Sequence, residues 1–141
     1  MAAGILRHEL GPDADRVLIE SAGTAAWEGQ PATEPSVQVA EREGVDLRTH
    51  RSRRLAPPTV RAADLILVME TAHLAAVQTL GAVPDRVHLL SEWPSPGEPS
   101  LPVSDPYGGS IEAYEECWRR ITRHVQRVIP QIREAFRTRS A

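Results

Sequence analysis

The chain has 141 residues, 41% of them apolar and 25% charged, an ordinary balance for a globular domain large enough to bury a core of its own. A net charge of −3 argues against broad nucleic-acid binding. No apolar run reaches membrane-spanning length, and the first residues lack the basic-then-apolar pattern of an export signal. These features predict a cytoplasmic protein with no membrane and no nucleic-acid partner.

Two absences sharpen this. Cys117 is the only cysteine, which excludes an internal disulfide and a multi-cysteine zinc site. The basic residues are all arginine, so Schiff-base lysine chemistry and a nucleotide P-loop are excluded as well. No Gly-x-Gly-x-x-Gly occurs, and His8, His73, His88 and His124 show no metal-ligand spacing; they read as surface or packing residues. No cofactor and no metal are expected.

In chain order, Met1 to Leu10 reads as a helix with Ile5, Leu6 and Leu10 near one face, ended by Gly11-Pro12-Asp13. Arg16 to Glu20 is a short β-branched run that predicts a buried strand, and Ser21-Ala22-Gly23-Thr24 turns the chain out of it. A loop holding Trp27 and Gly29 leads to a helix opened by Glu34-Pro35 and closed at Gly44. Arg48 to Leu55 is basic and reads as a solvated loop. Leu65 to Met69 is apolar on both faces, as a parallel strand covered by helices would be. Thr71 is placed to cap a helix to Leu80 that Gly81 stops; Val87 to Leu90 is the next strand. Ser91 to Ser104, rich in proline and serine, is a connection. A last helix runs from Ser110 to Phe136, with Pro130 expected to kink or split it. The alternation of helix and strand predicts an α/β fold, a doubly wound parallel sheet in three layers, as one domain over 1–141.

Ser104-Asp105-Pro106-Tyr107-Gly108-Gly109-Ser110 stands out. Proline pushes Asp105 toward extended geometry, the glycines permit a sharp turn, and Ser110 is a good N-cap for the helix beyond. Taken alone, Asp-Pro-x-Gly is a turn; a carboxylate on such a turn at the mouth of an α/β sheet is also placed to protonate a leaving group.

Several segments together resemble the low-molecular-weight protein tyrosine phosphatase family. They are Ser21-Ala22-Gly23-Thr24 with Trp27 and Gly29; His50-Arg51-Ser52-Arg53; Asp64 to Met69; and Asp105-Pro106-Tyr107-Gly108 with Tyr114. They occur in the family's order across essentially the whole chain. The resemblance implies that Asp105 is the general acid, that Trp27 and Tyr107 flank a phosphotyrosine ring, and that Ser21 and His50 support the phosphate loop from behind. A loop anchor packed on the core is the alternative for Trp27. The implied partner is a phosphotyrosine-containing protein.

The family's Cys-x5-Arg loop is absent, and Met1 to Leu6 resembles the helix that follows it. The expectation is therefore a family member whose first strand and phosphate loop are missing from this chain. Such a chain should be inactive as it stands and poorly packed where that strand would lie, between Val17–Ile19 and Leu65–Met69. Cys117 to Arg123 matches the pattern literally. Within a helix, however, six residues separate the two by about 9 Å of rise and about 240° of rotation, with every amide engaged. Two alternatives remain open. An arsenate reductase on this scaffold would need more cysteines than Cys117 for its relay. A non-catalytic phosphotyrosine-binding module would use Trp27 and Tyr107 beside the basic Arg48 to Arg54 segment.

Overall fold

Two strands, β1 (Ile66–Val68) and β2 (Val87–Leu89), lie parallel, with Ile66 opposite Val87, Leu67 opposite His88 and Val68 opposite Leu89. The computed structural model describes residues 1–97 and 100–140. Parallel neighbours need a crossover, which helix α4 (Thr71–Thr79) supplies. Side chains alternate across a strand, so β1 divides its apolar residues between two cores. Leu67 and Met69 pack against the larger core, built from α1 (Ala2–Leu10), α2 (Glu34–Arg42) and α5 (Ile111–Ser140). On the other face, Val68 and Val87 are buried with Val77 of α4 and Val60 of α3 (Pro57–Ala62), and Ile66 packs against them. Helices on both faces of a parallel sheet are the three-layer α/β arrangement that the alternation predicts.

The larger core is organised by α5. Tyr114, Cys117, Trp118, Ile121, Val125, Val128 and Ile129 are buried at three- and four-residue steps, facing Ile5 and Leu10 of α1 and Val37, Val39 and Ala40 of α2. Pro130 neither ends nor splits this helix. The carbonyl it leaves without a donor belongs to Gln126, and both residues lie on the exposed face. Water can take that hydrogen bond, which removes most of the reason to break.

The predicted strand at Arg16–Glu20 does not form. Arg16 closes a 3-10 helix over Gly11–Arg16, and the residues after it belong to no ladder. Leu18 is 85% exposed. A β-branched run becomes a strand only when a neighbour accepts its amides, and among the described residues none lies beside this one. Ile19 instead gives its carbonyl to the Arg7 guanidinium at 2.7 Å.

Three local expectations are also corrected. Gly11, at φ 56°, ends α1 as expected, but the chain coils on into the 3-10 helix because Pro12 suits its first turn. α4 is capped by Glu70 rather than Thr71: Glu70 is extended, and its amide donates to His73 Nδ1 at 3.3 Å. α3 had no counterpart in the sequence reading; Pro57 and Pro58 start it where two missing amide donors cost nothing. The Ser91–Ser104 connection carries no regular element among its described residues; its Glu98 and Pro99 lie outside them.

Candidate active site

The turn that carries Asp105 is built by its own side chain. Asp105 Oδ1 accepts the Tyr107 amide at 3.0 Å, and Gly109 donates to the Pro106 carbonyl at 2.8 Å. Gly108 sits at φ 79°, a conformation in which a side chain would be strained. Ser110 Oγ then accepts the Ala113 amide at 3.2 Å, which makes it the N-cap of α5. Asp105 and Tyr107 are both exposed, Tyr107 by 77%. One carboxylate oxygen is committed to the turn, and Oδ2 remains available to a ligand.

Under this turn lies Cys117, buried on α5, its thiol facing the Ser104 carbonyl at 3.9 Å. Burial pushes the thiol's pKa up, and the negative charges of Asp105 and Glu116 add to the rise against the opposing pull of the Met1 amino group and Arg120. Cys117 is therefore a protonated, enclosed packing residue, and Arg123 lies further along the same helix. The literal Cys-x5-Arg match has neither a nucleophile nor a nest of free amides.

The Met1 amino group, on a half-buried residue at the start of α1, acts on both Cys117 and His50. His50 is half-buried; burial lowers its pKa first, and the positive charges of the amino group, Arg7 and Arg51 lower it further, so the imidazole is neutral near pH 7. Asp105, Cys117, the start of α1 and His50 thus form one chain of electrostatic neighbours.

Trp27 is held from the opposite direction. The segment expected to be a solvated basic loop is instead paired with the Trp27 loop. Gly23 bridges Arg54 and Pro31 bridges Arg51, while Gly29 donates to the Ser52 carbonyl at 2.9 Å and Ser52 to the Gln30 carbonyl at 2.8 Å. Ser52 Oγ donates to the Trp27 carbonyl and accepts the Gln30 amide at 2.9 Å. The backbone of residues 22–31 needed donors and acceptors, and the arginine-rich segment provides them. Trp27 itself is 83% exposed, so it is not a core anchor. Ser21 is exposed beside Glu20, which pairs with Arg53 at 3.2 Å.

Sequence reasoning assigned no role to Ser52, although it lay within the His50–Arg53 motif. It also missed that Cys117 lies beneath Asp105, which the helical spacing from Ser110 through Tyr114 could have indicated. Two surface hollows, of about 290 Å³ between α1 and α5 and about 360 Å³ between the 3-10 helix and the end of α5, are not lined by Trp27, His50, Asp105 or Tyr107. The candidate site is an exposed rim. Among the described residues no cluster could hold a metal ion, and no helix is long and apolar enough to cross a membrane.

A parallel sheet covered on both faces, with an Asp-Pro-Tyr-Gly turn leading into a long final helix, is a three-layer α/β scaffold. The sequence profile of the low molecular weight phosphotyrosine protein phosphatases matches residues 1–138, and the chain belongs to that family. It is 34% identical over 134 residues to a low molecular weight protein-tyrosine-phosphatase of Ralstonia nicotianae, EpsP, covering 94% of this chain and 86% of the relative. Among solved structures, Wzb of Vibrio vulnificus in complex with benzylphosphonate superposes with a TM-score of 0.80 at 27% identity, over 92% of this chain and 87% of that one. The YwlE arginine phosphatase of Geobacillus stearothermophilus superposes with a TM-score of 0.81 at 25% identity, over 95% and 84%.

Proposed function

We propose that the protein is a metal-independent hydrolase of phosphotyrosine in proteins, working in the cytoplasm through a cysteinyl-phosphate, with Asp105 as general acid and base. The carrying observation is the fixed Asp105 carboxylate, one oxygen tied to the Tyr107 amide and the other open at the rim. In the first step a cysteine thiolate attacks phosphorus. The S–P bond forms as the P–O bond to the tyrosine breaks, and Asp105 gives its proton to the departing phenolate oxygen. In the second step Asp105 takes a proton from water as it attacks phosphorus, the S–P bond breaks, and phosphate leaves with the thiolate restored.

Trp27 and Tyr107 expose aromatic faces suited to a phenyl ring, which favours an aryl ester over the phosphoarginine that YwlE's name implies for that relative. Ser21 and neutral His50 are read as hydrogen-bonding supports of the phosphate loop. The attacking thiolate and the phosphate cradle are not found among these 141 residues: Cys117 is the single cysteine, and it is buried and protonated. We assign both to a Cys-x5-Arg loop supplied ahead of α1, whose amides at the helix N-terminus and arginine fork would hold the dianion. Cys117 is the single cysteine of these 141 residues, so a thiol relay for arsenate reduction would also have to come from outside them.

The test is p-nitrophenyl phosphate hydrolysis by the 141-residue chain and by the protein purified from its native source. The expected result is no turnover in the first and vanadate-sensitive turnover in the second, whose amino-terminal sequence should contain the loop. Robust hydrolysis by the 141 residues alone would overturn the division of labour. A native protein starting at Met1 would overturn the assignment of the missing loop.

A further inference from the structure

We propose that Arg51 and Arg54, on the ribbon that carries Trp27, select substrates whose phosphotyrosine is flanked by glutamate or aspartate; this deepens, and rests on, the phosphotyrosine reading of the site. The ribbon holds four arginines, and they are not equivalent. Arg48 is neutralised by Glu41 at 2.8 Å and Arg53 by Glu20 at 3.2 Å. Among the described residues no carboxylate comes within 4.0 Å of the Arg51 or Arg54 guanidinium. The nearest acid in the paired loop, Glu28, gives Oε1 to the Arg54 backbone amide at 2.6 Å, not to its side chain.

The Arg51 guanidinium is already positioned, and Arg54 is held through its backbone. Arg51 Nη1 donates to the Arg48 carbonyl at 3.1 Å and to the His50 carbonyl at 2.8 Å, which fixes the guanidinium and leaves Nε and Nη2 for another acceptor. The backbone of Arg54 is pinned through its bridge to Gly23 and its bond to Glu28. Ordering charged side chains is a main cost of binding through a surface loop, and here much of it is met in the free protein. The same ribbon ties down the exposed Trp27 through Ser52 and contains His50, which shares the charge environment of the start of α1. An exposed aromatic side chain on the same paired segments as two guanidinium groups without a carboxylate partner matches an aromatic residue with neighbouring carboxylates. With a net charge of −3, the chain as a whole does not attract polyanions, so recognition is local to this rim and does not extend to a nucleic-acid or lipid surface.

The experiment is fluorescence anisotropy of labelled phosphotyrosine peptides, identical except for Glu or Gln flanks, with the full 141-residue chain at low and high ionic strength. The Glu peptide should bind about threefold to tenfold more tightly at low salt, a margin typical of two exposed ion pairs, and lose that margin at high salt. Arg51→Gln with Arg54→Gln should abolish the margin, whereas Arg137→Gln, far from the ribbon, should keep it. Equal affinity for the two peptides, including absence of binding to both, overturns the inference. So does a preference that survives the double substitution. A Glu preference that is the same for tyrosine and for a non-hydrolysable phosphotyrosine analogue, measured on the native-source protein that carries the phosphate loop, would uphold the acidic selection and sink the phosphotyrosine reading. Competition by duplex DNA or anionic vesicles exceeding that of the Glu peptide would overturn the choice of partner.

Discussion

Asp105 Oδ1 and the amide of Tyr107 are 3.0 Å apart, so the carboxylate proposed as proton carrier is aimed by the backbone of the aromatic residue two places on. Asn can accept the same bond. In the enzyme carrying its phosphate loop, Asp105→Asn should lower kcat about a hundredfold to ten-thousandfold on phosphotyrosine, and less on p-nitrophenyl phosphate, whose leaving group needs less protonation. The melting temperature should be unchanged. Equal losses on both substrates would show that Asp105 is not the acid.

Acid should destabilise the fold through His124. This residue is 1% exposed on α5, and burial lowers its pKa below the ordinary 6.5, with Arg127, Arg120 and Arg123 adding to the effect. The unfolded chain therefore takes up the proton at a higher pH than the folded one. The stabilisation is full above 6.5 and is lost as pH falls through the lower folded value. The urea midpoint should drop as pH falls below the ordinary histidine value of 6.5, and His124→Gln should flatten that slope. An unchanged slope in the variant would assign the effect to His50, whose pKa is lowered in the same direction.

Gly97 lies flat on the same cluster. A Cβ there would come within 2.7 Å of His124 Nδ1 and Arg127 Nη1. Gly97→Ala should cost about 1–3 kcal/mol, because neither buried ring nor pinned guanidinium can retreat far. Urea unfolding measures this. A neutral result would mean that the 91–97 connection shifts as a unit.

Leu10 and Leu18 should behave oppositely. Leu10 is fully buried, and Leu10→Ala should cost about 2–5 kcal/mol. Leu18, for all its apolar neighbours in sequence, is 85% exposed, and Leu18→Ser should change stability by under about 0.5 kcal/mol. A large loss at Leu18 would show that the 17–20 segment is covered in solution.

Helices and turns were legible because their signals are local. Gly44 at φ 78° and Gly81 at φ 104° follow α2 and α4 where the sequence placed stops, and the period from Tyr114 to Val128 traced the buried face of α5. The Asp105 turn was legible for the same reason: proline, glycine and the Ser110 cap lie within a few residues of each other. What escaped depends on partners distant in sequence. Val17 to Glu20 has strand-forming residues, but a strand is a property of a pair. The arginines of 48–54 looked solvated because the loop that their backbone supports lies more than twenty residues earlier, joined through Ser52. Pro130 misled for a third reason, since the cost of an orphaned carbonyl depends on whether water reaches it.

The dominance of α5 in the main core has a consequence for biosynthesis. Residues 111–129 form the wall against which α1 and α2 close, so an emerging nascent chain holds Ile5, Leu10, Val37 and Val39 without a counterpart until most of the domain has left the ribosome. At roughly 5–20 residues per second that interval lasts several seconds, during which the apolar residues of the amino-terminal two-thirds stay uncovered.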